Sequence, residues 1–133
     1  MKKIVLIFNV IIVMSCGENV EPNENQLPGN FAHTVYFWLE NPTDEADRTA
    51  FETSLKKFIN KSPYIKTKHI GVPAKTDRDV IDNSYTYSLL LTFSNKDDQD
   101  LYQDEPNHKI FIEESSRLWT KVIVYDSENI YNQ

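Results

Sequence analysis

Residues 85–93 restrict this chain more than any other stretch. Tyr85, Tyr87, Leu89, Leu91 and Phe93 fall on one side of a period-two ladder and Thr86, Ser88, Leu90 and Thr92 on the other. That is the pattern of a strand rather than a helix. Residues 33–39 repeat it, with His33, Val35, Phe37 and Leu39 facing Thr34, Tyr36 and Trp38 across the backbone. Neither side of this second strand is polar enough to face water alone. A sheet built from such strands has to be covered twice.

The rest of the pattern supplies one of the two covers. Phe51, Leu55, Phe58 and Ile59 recur at i, i+4, i+7 and i+8, the apolar stripe of a helix that starts after Pro42 and ends before Pro63. Asp44, Glu45 and Asp47 suit its N-terminal turn. A less regular strand is predicted over residues 65–72, followed by a polar loop with Lys75, Asp77, Arg78 and Asp79. Ser94, with Asp97 three residues on, approximates a capping box for a helix over residues 95–103. Pro106 ends that helix and fits the first turn of a second helical piece over residues 106–117. The last strand, residues 119–126, alternates Trp119, Lys121, Ile123 and Tyr125 with Thr120, Val122, Val124 and Asp126. Strand, helix, strand, strand, helix, strand predicts an α+β, ferredoxin-like βαββαβ sandwich, one domain over residues 31–130.

Helices in that order cover one face of the sheet only. The other carries Tyr36, Trp38 and Leu90. Burying side chains of this size is worth ~1.5 to 3 kcal/mol each, which favours two sheets packed face to face. The expectation is a homodimer.

The chain opens with Lys2 and Lys3, followed by an apolar run from Ile4 to Met14 broken only by Asn9. A membrane-spanning helix takes roughly 20 residues, so this shorter run is predicted to be an export signal over residues 1–15. Val13, Met14, Ser15 and Cys16 resemble a bacterial lipoprotein lipobox. In that family the cysteine is lipidated and becomes the new N-terminus, each buried acyl CH₂ adding about 0.8 kcal/mol of membrane affinity. Cys16 is the only cysteine, so no disulfide forms within one chain, and an exported domain of this kind relies on core packing or a second copy. Without Lys2 and Lys3 the net charge falls from −6 to −8, because all twenty acidic residues follow the signal. Such a surface repels nucleic acid and anionic headgroups, which leaves the lipid as the contact with the membrane. Residues 16–30 are then the lipidated cysteine and a tether, GENVEPNENQLPGN, too poor in apolar residues to fold. Such a coil spans on the order of 20 Å. The expected location is the bacterial cell envelope, on the periplasmic side or at the cell surface.

Tyr102 to His108, Tyr-Gln-Asp-Glu-Pro-Asn-His, holds the candidate chemistry. The break at Pro106 places a phenol and an imidazole where both can face one cleft, and puts His108 near a helix N-terminus. The dipole there disfavours imidazolium, while Asp104 and Glu105 favour it. As chemistry, His108 is a general base within reach of a bound enol or phenol, and Tyr102 donates to a carbonyl oxygen. As structure, an imidazole hydrogen-bonded to a phenol is a clasp between two helical pieces.

The chain resembles the stress-responsive dimeric α/β-barrel family, Dabb. The resemblance lies in His33 to Phe37, Tyr85 to Phe93, Tyr102 with Pro106, Asn107 and His108, and Trp119 to Asp126, nearly the whole domain. It implies paired four-stranded sheets, a dimer, and a small apolar cavity between sheet and helices. Plant relatives that act as polyketide cyclases use a tyrosine and a histidine of the helical segment in an intramolecular aldol condensation, and Tyr102 and His108 match those positions. His33 matches a first-strand histidine that faces the cavity, whereas a third-strand histidine of the cyclases is Tyr87 here. His33, Val35, Tyr87, Leu89, Trp119, Val122 and Val124 are the expected ligand-binding set, a pattern that equally describes a plain core.

Neither a metal nor a nucleotide cofactor is expected. The three histidines miss zinc-site spacings, and Asp97, Asp98, Asp100, Asp104 and Glu105 lack the glycine and ligand spacing of a calcium loop. Three glycines form no phosphate loop, and there is no serine nucleophile motif. The leading expectation is a membrane-tethered homodimer that binds a small apolar or aromatic molecule, any chemistry being cofactor-free acid–base catalysis. Two alternatives stand beside it: an envelope stress-response interaction module with a filled core, and a haem-degrading or quinone-oxidising monooxygenase of the wider dimeric α/β-barrel group.

Overall fold

A computed structural model of the chain describes residues 26–131. The export signal, Cys16 and most of the predicted tether lie outside them. The elements run β1 (Phe31–Leu39), α1 (Glu45–Ile59), β2 (Thr67–Gly71), β3 (Tyr87–Phe93), α2 (Lys96–Asp104), α3 (Pro106–Ser115), a 3₁₀ turn (Ser116–Leu118) and β4 (Trp119–Glu128). The strands form one sheet in the order β2-β3-β1-β4, with every neighbouring pair antiparallel. This is the ferredoxin-like α+β arrangement. No helix among the described residues is long and apolar enough to cross a membrane.

Local chemistry sets the boundaries. Gly29 brings the chain in with φ +99°, where an added Cβ would lie 2.3 Å from the Phe93 carbonyl oxygen, so only glycine fits. Asp44 caps α1 by accepting from the Asp47 N–H at 2.9 Å, and the first-turn acids and last-turn Lys56 and Lys57 both suit the helix dipole. The cap of α2 is Asn95, accepting from the Asp98 N–H at 2.9 Å, one residue later than the expected Ser94. The Ser94 carbonyl is still held by the Asn30 N–H, so the helix cannot begin before it. Pro106 opens α3 as expected, but the helix stops at Ser115 and tightens into the 3₁₀ turn, which buries Leu118 and lets its carbonyl accept from the Glu40 N–H at 2.9 Å.

The helix side of the sheet presents Phe31, His33, Val35, Phe37 and Leu39 of β1 with Tyr87, Leu89, Leu91 and Phe93 of β3, all buried. Against them α1 sets Phe51, Leu55, Phe58 and Ile59, and α3 sets Phe111. Phe51 stacks on Tyr87 with ring centres 5.0 Å apart and meets Phe37 edge-on at 5.0 Å. Simple alternation would send Trp119 to the face opposite Val122. A bulge intervenes: Trp38 pairs with Lys121 and Leu39 with Trp119, which leaves Thr120 as the extra residue. The Trp119 ring thereby reaches Phe37 at 5.3 Å and Phe111 at 5.7 Å.

The opposite face is aromatic, as the strand patterns require. Tyr36 meets Tyr85 at 4.9 Å and Tyr125 at 6.2 Å, and the Lys121 ammonium lies 4.3 Å over the Trp38 ring. Tyr125 is 60% exposed. The helix side needs no such partner. Phe51→Ala is expected to lower the unfolding free energy by about 3 to 5 kcal/mol, read from the midpoint of chemical denaturation, because the ring is fully enclosed between two layers.

Candidate functional site

Alternation along β1 delivers His33 to the helix side, opposite Asp126 of β4. His33 Nδ1 lies 2.6 Å from Asp126 Oδ1. A carboxylate only accepts, so Nδ1–H donates and the ring is held in one orientation. The His33 side chain is 5% exposed and that of Asp126 43%, so the pair runs from interior to surface. An acid that fixes an imidazole's tautomer is the orienting half of an acid–base pair.

The helix break closes over this end of the sheet. Proline at the start of α3 ends α2 and holds Glu105 extended, at φ −66° and ψ 146°. Tyr102 and His108 then share a side, ring centres 5.2 Å apart. The Tyr102 ring also meets His33 edge-on at 5.8 Å and stacks on Phe58 at 5.2 Å. Burial pushes its phenol well above the ordinary value, and the charges of Glu105 and Asp126 push the same way, so it stays a donor. Burial holds His108 below the ordinary imidazole value, His33 and Lys109 add to this, and a hydrogen bond to the Gln103 backbone carbonyl opposes it. Tyr102 meets the imidazole by ring packing, so the expected phenol–imidazole clasp is not made as a hydrogen bond. Chemically, the cluster holds two imidazoles, one oriented by an acid, beside a phenol that keeps its proton.

The other expected ligand residues divide along the strands. Tyr87 pairs with Phe37 whereas His33 pairs with Leu91, a separation of four residues, or ~13 Å. The Tyr87 hydroxyl donates to Glu52 Oε1 at 2.7 Å, and the Arg48 guanidinium lies 5.0 Å from its ring centre. Burial, then Glu52, raises this phenol to about 12. Tyr87 is thus fastened to α1, away from His33, Tyr102 and His108. Val35 and Leu89 are core, and Trp119 packs on Phe37 and Phe111. Val122 and Val124 pair with Phe37 and Val35, which places them on the helix side, yet they are 37% and 46% exposed. The helices leave β4 uncovered there. The row Val122, Val124, Asp126 is therefore an apolar strip that leads to the His33 cluster.

Hollows among the described residues open elsewhere: about 340 Å³ beside Leu27, Phe31 and Tyr131, about 870 Å³ on the α1 surface at Ala46 and Ala50, and about 400 Å³ on the aromatic face at Tyr36, Tyr85 and Tyr125. None of these is lined by Tyr102, His108 or Tyr87. Where the resemblance implies a cavity between sheet and helices, the rings of Phe51, Phe58, Tyr102 and Phe111 pack against one another. Sequence reasoning missed Asp126 and Glu52, and read Glu105 only as a charge near His108. Asp126 had a signal, being an acid in phase with Val122 and Val124 on the inward side of a strand. Glu52 had none, since only the fold brings it to Tyr87.

The family model of the stress-responsive A/B barrel domain, Dabb, matches residues 31–129. This chain belongs to the Dabb family. Solved structures agree in fold. A Dabb protein from Mesorhizobium loti is 19% identical, with 77% of this chain and 98% of that one covered and a TM-score of 0.64. A dimeric ferredoxin-like protein of unknown function from Thermobifida fusca is 16% identical, with 79% and 96% covered and a TM-score of 0.62. A hydroxynitrile lyase from Passiflora edulis is 18% identical, with 80% and 99% covered and a TM-score of 0.64. No curated protein matches the sequence significantly. In this Dabb domain the third-strand position holds Tyr87, and the side chains at the helix break are those of Tyr102 and His108.

His108 gives the site a pH signature. Its folded-state value lies below the ordinary 6.5, so the unfolded chain binds more protons than the folded one as the medium acidifies. Its contribution is intact above 6.5 and is lost as the pH falls below that value. The melting temperature is expected to drop between about pH 7 and about pH 5, and His108→Gln to flatten part of that drop in a calorimetric series.

Proposed function

We propose that this Dabb protein acts as a homodimer tethered to a bacterial membrane by lipidated Cys16, and that each subunit binds a small, largely apolar molecule along the helix side of β4. The polar end of that molecule meets His33, Asp126, Tyr102 and His108, which can exchange protons with it without a cofactor. The carrying observation is the exposure of Val122 and Val124 on a face that is buried all along β1 and β3, ending at an oriented His33–Asp126 pair. The Passiflora edulis neighbour is a lyase, so the same scaffold supports chemistry in at least one protein, while its 18% identity carries no reaction over. Fragment screening by NMR is expected to find weak apolar binders that shift the Val122 and Val124 methyls together with the His108 ring, and Asp126→Asn is expected to weaken them severalfold. A screen without binders overturns the reading.

The packed rings of Phe51, Phe58, Tyr102 and Phe111 favour a second reading, an interaction module whose interior holds nothing. The same screen separates the two.

Dimerisation is carried by the aromatic face of Tyr36, Trp38, Tyr85 and Tyr125, and a relative of the same fold is described as dimeric. Sedimentation of the lipid-free protein at micromolar concentration is expected to give a dimer. The double variant Tyr36→Asp, Tyr125→Asp is expected to give a folded monomer, because two buried charges oppose the pairing.

A further inference from the structure

Glu105 is the residue at the helix break whose side chain has no structural task. It ends α2 and precedes α3, a place where a side chain ordinarily caps the next helix. Here it makes no such bond. The backbone carbonyl does that work instead, accepting from the His108 N–H at 3.1 Å and the Lys109 N–H at 3.4 Å. The side chain is nevertheless turned inward. Glu105 is only 9% exposed, and its Oε1 is buried with no hydrogen-bond partner among the described residues. A carboxylate oxygen held this way gives up solvation without recovering it from the protein. Glutamate almost never sits so deep without a partner.

The surroundings say what partner fits. Glu105 stands three residues from Tyr102 and three from His108, and its charge acts on the Tyr102 phenol alongside that of Asp126. The phenol keeps its proton and His108 is held toward its neutral form. The cluster therefore offers two carboxylates, with one Nδ1–H already given to Asp126. Lys109 and the N-terminus of α3 are the opposing positive features. An anion entering from β4 would meet Asp126 first, and a ligand that donates would satisfy Oε1. The apolar approach over Val122 and Val124 asks for a hydrocarbon body behind that donor.

We propose that Glu105 is a ligand-recognition residue, its buried Oε1 accepting a hydrogen bond from a protonated amine, so that the site selects small apolar amines and rejects carboxylates. This rests on the binding reading above. It adds the chemical class of the ligand.

Three probes of one shape test it: benzylamine, benzyl alcohol and benzoate, titrated into the full chain and followed through the His33 and His108 ring signals. Benzylamine is expected to bind at least tenfold more tightly than benzoate, and Glu105→Gln to weaken benzylamine by ~10-fold, the range of a charge-assisted hydrogen bond, while changing benzyl alcohol less than twofold. Glu105→Gln is also expected to melt no lower than the parent, because an unpartnered charge has been replaced by a neutral amide. Benzoate binding as well as benzylamine overturns the inference and leaves the binding site standing. Benzylamine indifferent to Glu105→Gln does the same. A melting temperature lowered by ~4 °C or more would mean that Oε1 serves the fold, which also overturns it. Failure of all three probes to bind removes the inference together with the reading beneath it.

Discussion

Phe51 is a ring on α1 that stacks on Tyr87 of the sheet at 5.0 Å and meets Phe111 of α3 at 6.1 Å, so a single side chain couples all three structural units of the domain. It has no exposed surface. The rings around it do not form a loose apolar layer, since in the next row Phe58 stacks on Tyr102 at 5.2 Å and on Phe111 at 5.3 Å. An interior assembled this way fixes where α2 and α3 can lie, because each helix contributes a ring whose neighbours are already placed. The position of Tyr102 and His108 is a consequence of that packing. The cluster is packed on its inner side, and beside it β4 is exposed at Val122 and Val124.

That asymmetry separates the two ends of the sheet. At the Phe37 level, Tyr87 is engaged by Glu52 and Arg48, and its hydroxyl donates to a carboxylate on α1. At the His33 level, the polar groups are held by the strands and by the helix break, with one acid of the pair reaching solvent. The first arrangement fastens a helix to a sheet. The second holds an oriented imidazole beside a surface. Two clusters of similar composition therefore differ in what they can do, and the difference lies in whether every polar atom is already engaged within the protein.

Much of the fold could be read from periodicity. The β1 alternation, the Phe51, Leu55, Phe58 and Ile59 stripe and the Pro106 break all appear where elementary rules put them, because each is local: strand pleat, helical turn and a missing N–H act over fewer than ten residues. The errors are local competitions decided by distant partners. Ser94 lost the α2 cap to Asn95 because its carbonyl was needed by Asn30. The alternation of β4 failed at Thr120 because a bulge was needed to bring Trp119 onto Phe37. At the site, Tyr102 and His108 could be named because Pro106 places them within one short segment. Asp126 lies 93 residues from His33, and no local pattern could join them.

The electrostatics of the domain bear on which molecules could approach the cluster. The chain carries twenty acidic against fourteen basic residues, so the field outside the domain is negative. The acid at the mouth of the site, Asp126, has the sign of that field, and the basic group nearest to it, His33, is buried behind it. Charge alone therefore does not oppose a neutral or positive molecule there, whereas an anion is opposed first by the domain and then by Asp126. Screening over roughly 8 to 10 Å at physiological salt removes the outer contribution but not the inner one, since the final approach is shorter than that distance and partly desolvated. The field of Asp126 at the cluster therefore persists in salt that screens the rest of the surface.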